Sequence, residues 1–282
     1  MYFDAHTHLN EDRLFSDWQN HLQQFIDIGG KWLINVWVDA DWNQRAVQIA
    51  QLSKEKRWEQ IFVKATIGIH PSEASFGKIA TSQDIEQAME GLRKLYEDHP
   101  DEIVAIGECG MDAHYPDYEK VKGVQQELFH AQCLLARELG LPVVIHSRDQ
   151  FPDTLEAIKN YTDLKIYFHC RWYGPDELET LHHLLPQFRF GCCGNITYPA
   201  AEQLRASLKK GVELGLQPSP NSHTIRRLLE TDAPYLTPQK NRGKLNTPAQ
   251  VVDVYEYVTK MLDVEPTSLQ QIVMKNFTSF FQ

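Results

Sequence analysis

Eight short runs of apolar and β-branched residues alternate with longer stretches of helical period, and that alternation restricts the fold more than any other feature of the chain. The runs fall at 2–6, 32–38, 61–69, 103–108, 143–146, 165–169, 189–192 and 228–232, each of strand length and bounded by turn or cap residues. Strands that alternate with helices join into a parallel sheet, either doubly wound or closed, and eight is the number at which a parallel barrel closes. The expectation is an α/β fold, a (βα)8 TIM barrel forming one domain over residues 1–282. No repeat of fixed period and no Pro- or Gly-rich linker divides the chain.

The intervening segments carry helix punctuation. Asp41 is placed to cap a helix reaching about Arg57, and Ser82 one with Ile85, Met89, Leu92 and Tyr96 on its apolar face. Val121, Val124, Leu128, Ala131 and Leu135 recur three and four apart before Gly140 and Pro142 stop the pattern. Pro175, Pro199, Pro248 and Pro266 each stand where a first helical residue is expected, because a missing amide there loses no hydrogen bond. The stretch 211–223, with Pro218, Ser219, Pro220 and Asn221, reads as a loop between the seventh strand and the eighth.

Charge and cysteine usage narrow the function classes. A net charge of −10 argues against a sequence-independent coat for nucleic acid and against a membrane-surface protein, while leaving room for a local basic patch. Five cysteines without framework spacing read as thiols in a reducing compartment. The opening Met1-Tyr2-Phe3-Asp4 has no basic stretch leading into an apolar one, and no run approaches a membrane span. A soluble, cytoplasmic protein, monomeric and with no membrane partner, is expected.

Metal-binding side chains recur at the C-terminal ends of the strand candidates: His6 and His8 on the first, Glu108 on the fourth, His146 on the fifth, His169 on the sixth and Asp232 on the eighth. Residues two apart on a strand share a face, so His6 and His8 can enter one site at the barrel mouth. Each residue alone has a structural reading: a hydrogen-bonded strand-end imidazole, a solvated corner at Glu108, a turn cap at Asp232. Six of them on five strand ends favour ligation instead, and a carboxylate directly after Ile103-Val104-Ala105-Ile106 is costly to bury without a cation. Six nitrogen and oxygen ligands suffice for two divalent ions, Zn, Mn or Mg, and the four imidazoles lean toward a transition ion. Glu108 lies between the two histidine pairs in chain order and is the natural bridge. Asp232 is expected to ligate the first ion and to orient or deprotonate its water.

These residues, with their neighbours, resemble the TatD family of metal-dependent hydrolases, a family of deoxyribonucleases. The resemblance runs through Phe3-Asp4-Ala5-His6-Thr7-His8-Leu9, Gly68-Ile69-His70-Pro71, Gly107-Glu108-Cys109-Gly110-Met111-Asp112, Pro142-Val143-Val144-Ile145-His146-Ser147-Arg148, Phe168-His169-Cys170 and Glu230-Thr231-Asp232-Ala233-Pro234. It implies an amidohydrolase-type barrel and hydrolysis of DNA phosphodiester bonds from single-stranded or 3′ ends, through water activated by two metals. It also implies His6, His8, Glu108 and Asp232 on one ion, Glu108, His146 and His169 on the other, and His70 and Arg148 against the substrate phosphate. Arg242 and Lys244 match the family and are carried over as phosphate contacts. The chain departs from the family pattern at Ser72, at Arg171-Trp172-Tyr173-Gly174 and at Cys192-Cys193, all in places that shape the substrate pocket.

Other features have two readings each. Arg226, Arg227 and Lys240, with Arg242 and Lys244, either gather phosphates or form a solvated charged loop. Trp172 and Tyr173 either stack on an unpaired base or pack their own loop. Cys192 and Cys193 read as small core residues. His182, His183, His99, His130 and His223 read as structural or solvated. Two other functions compete with the nuclease: a metal-dependent amidohydrolase or esterase acting on a small molecule or aminoacyl-tRNA, and a barrel that has lost catalysis and serves for binding. Related amidohydrolase barrels often bridge their ions through a modified lysine on the fourth strand, a place held here by Glu108.

Overall fold

In a computed structural model of the chain, which describes residues 1–36, 40–55, 58–170, 173–215 and 226–282, seven parallel strands run in chain order around one curled sheet. They are β1 (Tyr2–Thr7), β2 (Gly30–Asn35), β3 (Phe62–Ile67), β4 (Ile103–Asp112), β5 (Val143–Arg148), β6 (Ile166–Phe168) and β7 (Phe188–Phe190). Between and after them lie α1 (Asp12–Phe15), α2 (Trp18–Asp27), α3 (Ala40–Leu52), α4 (Ser72–Ser75), α5 (Ser82–Asp98), α6 (Tyr118–Leu139), α7 (Phe151–Ile158), α8 (Pro175–Leu184), α9 (Glu202–Glu213), α10 (Val251–Leu262) and α11 (Pro266–Phe281). The architecture is the expected TIM barrel. Val143, Val144 and Ile145 of β5 are consecutive and all fully buried, as a parallel strand covered on both faces requires.

The eighth strand expected at 228–232 is corrected by the structure. The segment lies extended between β7 and β1, but its only regular bridge is Phe190 to Arg227. It closes the barrel with separate hydrogen bonds on both sides: Leu228 N–H to Phe190 O at 3.0 Å and Glu230 N–H to Cys192 O at 3.1 Å, Ala5 N–H to Leu229 O at 3.0 Å and Asp232 N–H to His6 O at 2.9 Å. The ladder is broken because the Asp4 carboxylate, not a neighbouring backbone carbonyl, accepts the Thr231 N–H at 2.9 Å. Asp232 then turns into the left-handed region with φ 56°.

Smaller boundaries move for local reasons. β4 continues past Glu108 to Asp112, whereas β7 stops at Phe190. Helix α5 is capped one residue earlier than expected: the Thr81 hydroxyl accepts the Asp84 N–H at 3.2 Å while the Asp84 carboxylate accepts the Thr81 N–H at 2.9 Å. Pro175 and Pro266 do open α8 and α11, and Pro248 opens a 3-10 turn, but Pro199 stands ahead of α9, which begins at Glu202. Gly211 is inside α9, so the loop expected from 211 starts later, and its 216–225 portion, His223 included, lies outside the described residues, as do Trp37, Val38 and Arg57. Asp41 falls inside α3 rather than at its cap, and that helix ends at Leu52. Gly140 ends α6 at φ 68°, a backbone conformation that an L side chain disfavours. Among the described residues no helix is long and apolar enough to cross a membrane.

Candidate metal centre

The C-terminal ends of the strands converge on a cavity of about 290 Å³ whose wall includes His8, Glu108, His146, His169 and Asp232. His6 stands behind them, fully buried in β1. All six expected ligands are thus brought together. His6 Nε2 lies 3.2 Å from His8 Nε2, 3.7 Å from Asp232 Oδ1 and 3.6 Å from Glu108 Oε2. On the other side Glu108 Oε2 lies 2.5 Å from His169 Nε2 and 3.6 Å from His146 Nδ1. His6, His8 and Asp232 form one group able to hold an ion, and Glu108, His146 and His169 another.

Outer hydrogen bonds decide which ring nitrogens face inward. His8 Nδ1 donates to the Val36 carbonyl at 3.0 Å, which leaves Nε2 against Asp232 Oδ1 at 3.2 Å. His146 Nε2 donates to Asp112 Oδ2 at 3.1 Å, which turns Nδ1 toward Glu108 and His169. A carboxylate or carbonyl behind the ring is the arrangement that fixes a ligating imidazole's tautomer and raises its basicity. Glu230, fully buried, has a carboxylate oxygen within 4.8 Å of ring nitrogens of both His6 and His169.

The buried polar atoms fit a cation. Glu108 Oε2 stands among imidazole nitrogens of His6, His146 and His169 without a well-aligned hydrogen bond from any of them. A carboxylate oxygen so placed is costly to bury unless a positive charge joins it. The protonation balance points the same way. Burial works against charging His146, yet the carboxylates of Asp112 and Glu108 lift its pKa to about 10. Burial would raise Glu108, but the neighbouring imidazoles, His169 foremost, bring it well below the ordinary carboxylate range. The carboxylates therefore draw positive charge into this corner, whether proton or metal.

His70 behaves differently. Burial, then the nearby His146, lowers its pKa to about 3. Its Nδ1 accepts the Ser72 backbone N–H at 3.0 Å, with the Ser72 hydroxyl 2.7 Å away. The remaining proton is then on Nε2, 3.8 Å from Glu108 Oε1 and on the cavity wall, where it makes His70 a neutral donor. Arg148 lines the same cavity from the end of β5. Arg242 and Lys244 do not: the Arg242 guanidinium lies 4.2 Å over the Tyr198 ring and donates to its hydroxyl at 2.6 Å, and Lys244 is exposed.

The rest of the basic group is also engaged elsewhere. Lys240 pairs with Asp253 at 2.6 Å, Arg226 donates to the Leu185 carbonyl at 3.1 Å, and Arg227 is buried over Phe190. Trp172 lies outside the described residues, and Tyr173 packs its loop, its hydroxyl 2.7 Å from Ser147 Oγ and its ring 4.8 Å from Phe151. Cys192 and Cys193 are buried, as expected of core thiols.

Asp112, Tyr115 and Glu230 are functional candidates that the sequence reading did not single out. For Asp112 the signal was present: four residues beyond Glu108, it shares that residue's face if the strand continues. The expected strand end at Glu108 hid it. Continuation depends on Gly110, whose φ is 146° and where a Cβ would lie 1.9 Å from the His146 carbonyl oxygen. Only glycine lets β4 run this close to β5.

Known proteins share the fold and are described as metal-dependent hydrolases. Escherichia coli YcfH, called an uncharacterized metal-dependent hydrolase, is 35% identical over 217 residues, 76% of this chain and 72% of that protein. Mycoplasma genitalium MG009, described in the same words, is 30% identical over 286 residues, 99% of this chain and 98% of its own. The crystal structure of YjjV, a TatD homologue from Escherichia coli, has the same fold, with a TM-score of 0.81 at 24% identity over 99% of this chain and 97% of that one. A TatD family hydrolase from Entamoeba histolytica also has it, with a TM-score of 0.81 at 19% identity over 99% and 97%. Residues 3–282 match the model of the family described as TatD related DNase, and the chain belongs to that family of metal-dependent hydrolases.

Proposed function

We propose that this hydrolase cleaves phosphodiester bonds in DNA, on single strands or at 3′ ends, with two divalent ions bound by His6, His8, Asp232, Glu108, His146 and His169. The observation that carries this reading is the position of Glu108. Its carboxylate stands between the two ligand groups, at 3.6 Å from His6 on one side and 2.5 Å from His169 on the other, on a cavity wall shared with Arg148 and His70. The family description as a DNase supports the substrate class.

Divalent ions held there supply Lewis acidity toward a phosphoryl oxygen and a lowered pKa for water. The chain's own groups supply the rest. Asp232, 8% exposed and on the cavity wall, holds its Oδ1 toward His8 and is placed to accept the proton of the attacking water. Arg148 places a permanent positive charge beside the phosphate, and His70 offers an N–H without adding charge.

Digestion of an end-labelled single-stranded oligonucleotide, with Mg, Mn and Zn each supplied, tests the reading. Wild type shortens the strand stepwise, and Asp232→Asn loses roughly 10²- to 10⁴-fold in turnover with its circular dichroism unchanged. Intact DNA under every ion, with turnover of ester or amide substrates, would instead make it a small-molecule hydrolase.

A further inference from the structure

Two aromatic rings stand together where the ends of β3 and β4 meet solvent. Phe76, which closes the α4 turn, is 59% exposed, the most exposed large apolar side chain among the described residues. Its ring meets Tyr115 edge to face, at 5.0 Å between centroids and 69° between planes. Tyr115 is half-buried and lines the cavity beside Arg148 and His146. The pair therefore extends from the metal centre outward.

The platform is held in place from below. Gln125 of α6, fully buried, accepts the Asp112 N–H at 3.0 Å, donates to the Asp112 carbonyl at 3.1 Å and reaches Ser75 Oγ at 3.2 Å. One side chain thus ties the loop carrying Phe76 to the backbone of Asp112, the residue whose carboxylate stands behind His146 and which leads into the loop carrying Tyr115. Tyr115 also meets the His114 ring edge to face at 5.5 Å, while the other aromatic groups near the cavity are held by charged or hydrogen-bonding partners. Tyr235 has the Arg13 guanidinium 4.6 Å over its ring and His8 at 5.8 Å, and Tyr173 is bound to Ser147.

We propose that Phe76 and Tyr115 form the stacking platform for the base next to the scissile phosphate. The inference rests on the phosphodiesterase reading above. With a net charge of −10 the protein gains little from long-range attraction to a polyanion, so retention of the strand falls to contacts close to the site. An aromatic face accepts any base, and only an unpaired one can turn out to meet it. The aromatic face distinguishes the ligand from inorganic phosphate or a small phosphodiester, which the ions and Arg148 would hold equally well.

The test compares two end-labelled single-stranded oligonucleotides, one of them abasic at its terminal nucleotides, on metal-loaded wild type, Phe76→Ala and Phe76→Trp. Wild type favours the base-bearing strand by roughly 5- to 100-fold in kcat/KM, the range that stacking on one ring supports. Phe76→Ala removes most of that preference through KM, and Phe76→Trp restores it. Thermal melting, which should match wild type for so exposed a residue, excludes misfolding. An unchanged preference in a folded Phe76→Ala protein, or no preference in wild type, overturns the platform while leaving the nuclease standing. Failure of wild type to cut either strand overturns the nuclease reading and the platform with it.

Discussion

Asp112 shows how much a site depends on the groups that stand behind its imidazoles. Its bond to His146 sets that ring's orientation, so Asp112→Asn should lower metal affinity or turnover by roughly 10- to 100-fold, checked by metal titration beside the rate. Equal affinity in mutant and wild type would mean that His146 is oriented by other means. Gly110 makes the complementary point, since a methyl group there meets the His146 carbonyl oxygen at 1.9 Å. Gly110→Ala should therefore melt well below wild type or fail to fold, whereas a normal melting curve would show that β4 and β5 can part. The sequence made His6, Glu108, His146, His169 and Asp232 visible because each ends an apolar run, and His8 because it shares a strand face with His6. Asp112 was hidden because Gly107-Glu108-Cys109-Gly110, with a glycine at either end, reads as a turn.

At the level of elements, α6 does more than cover the sheet. Gln125 and Gln132, seven residues apart and fully buried, each present an amide to the end of a strand. Gln132 accepts the Ile69 N–H at 2.7 Å and donates to the Ile69 carbonyl at 3.0 Å, completing hydrogen bonding for the backbone beside His70. Gln132→Leu leaves both backbone groups buried and unpaired, at a cost of roughly 1–3 kcal/mol each, measurable by denaturant unfolding; a loss below about 0.5 kcal/mol would show that water or a neighbour takes over. The cap of α5 offers a smaller effect. Thr81→Ala should lose about 1 kcal/mol. Its partner Asp84 is held below the ordinary aspartate pKa by the Ala80 and Thr81 amides and the Thr81 hydroxyl. A lowered folded value means that this contribution is present at pH above the unfolded pKa and fades as pH falls through the folded one. Helical periods and proline positions made these elements legible. Exact caps were not, because Thr81 and Ser82 stand side by side and either hydroxyl can cap until packing fixes where the first turn starts.

For the whole molecule, closure of the barrel and occupation of the centre are linked. The proposed ligands come from β1 and the residue after it, β4, β5, the residue after β6 and the irregular segment at 228–232, so an ion bound among them would tie distant parts of the chain together. A divalent ion at about a hundred times its Kd should raise stability by roughly 2.7 kcal/mol, several degrees in Tm, and a chelator should reverse it. An unchanged Tm on chelation would mean that no ion spans the site.

The order of strands and helices was determined by the sequence itself, because burial of alternate segments requires a hydrophobic period that can be read residue by residue. So was the set of titratable groups at the strand ends. Only the tertiary structure decided that the eighth strand position is held by an irregular segment, since its pairing partners Asp4, His6 and Cys192 are remote in sequence. The same holds for Gln125, Asp112 and the Phe76 and Tyr115 pair. Which side chain stands behind a ligand, and which ring stands open beside it, follows from the distance between neighbouring strands and loops, a quantity that no local pattern in the chain encodes.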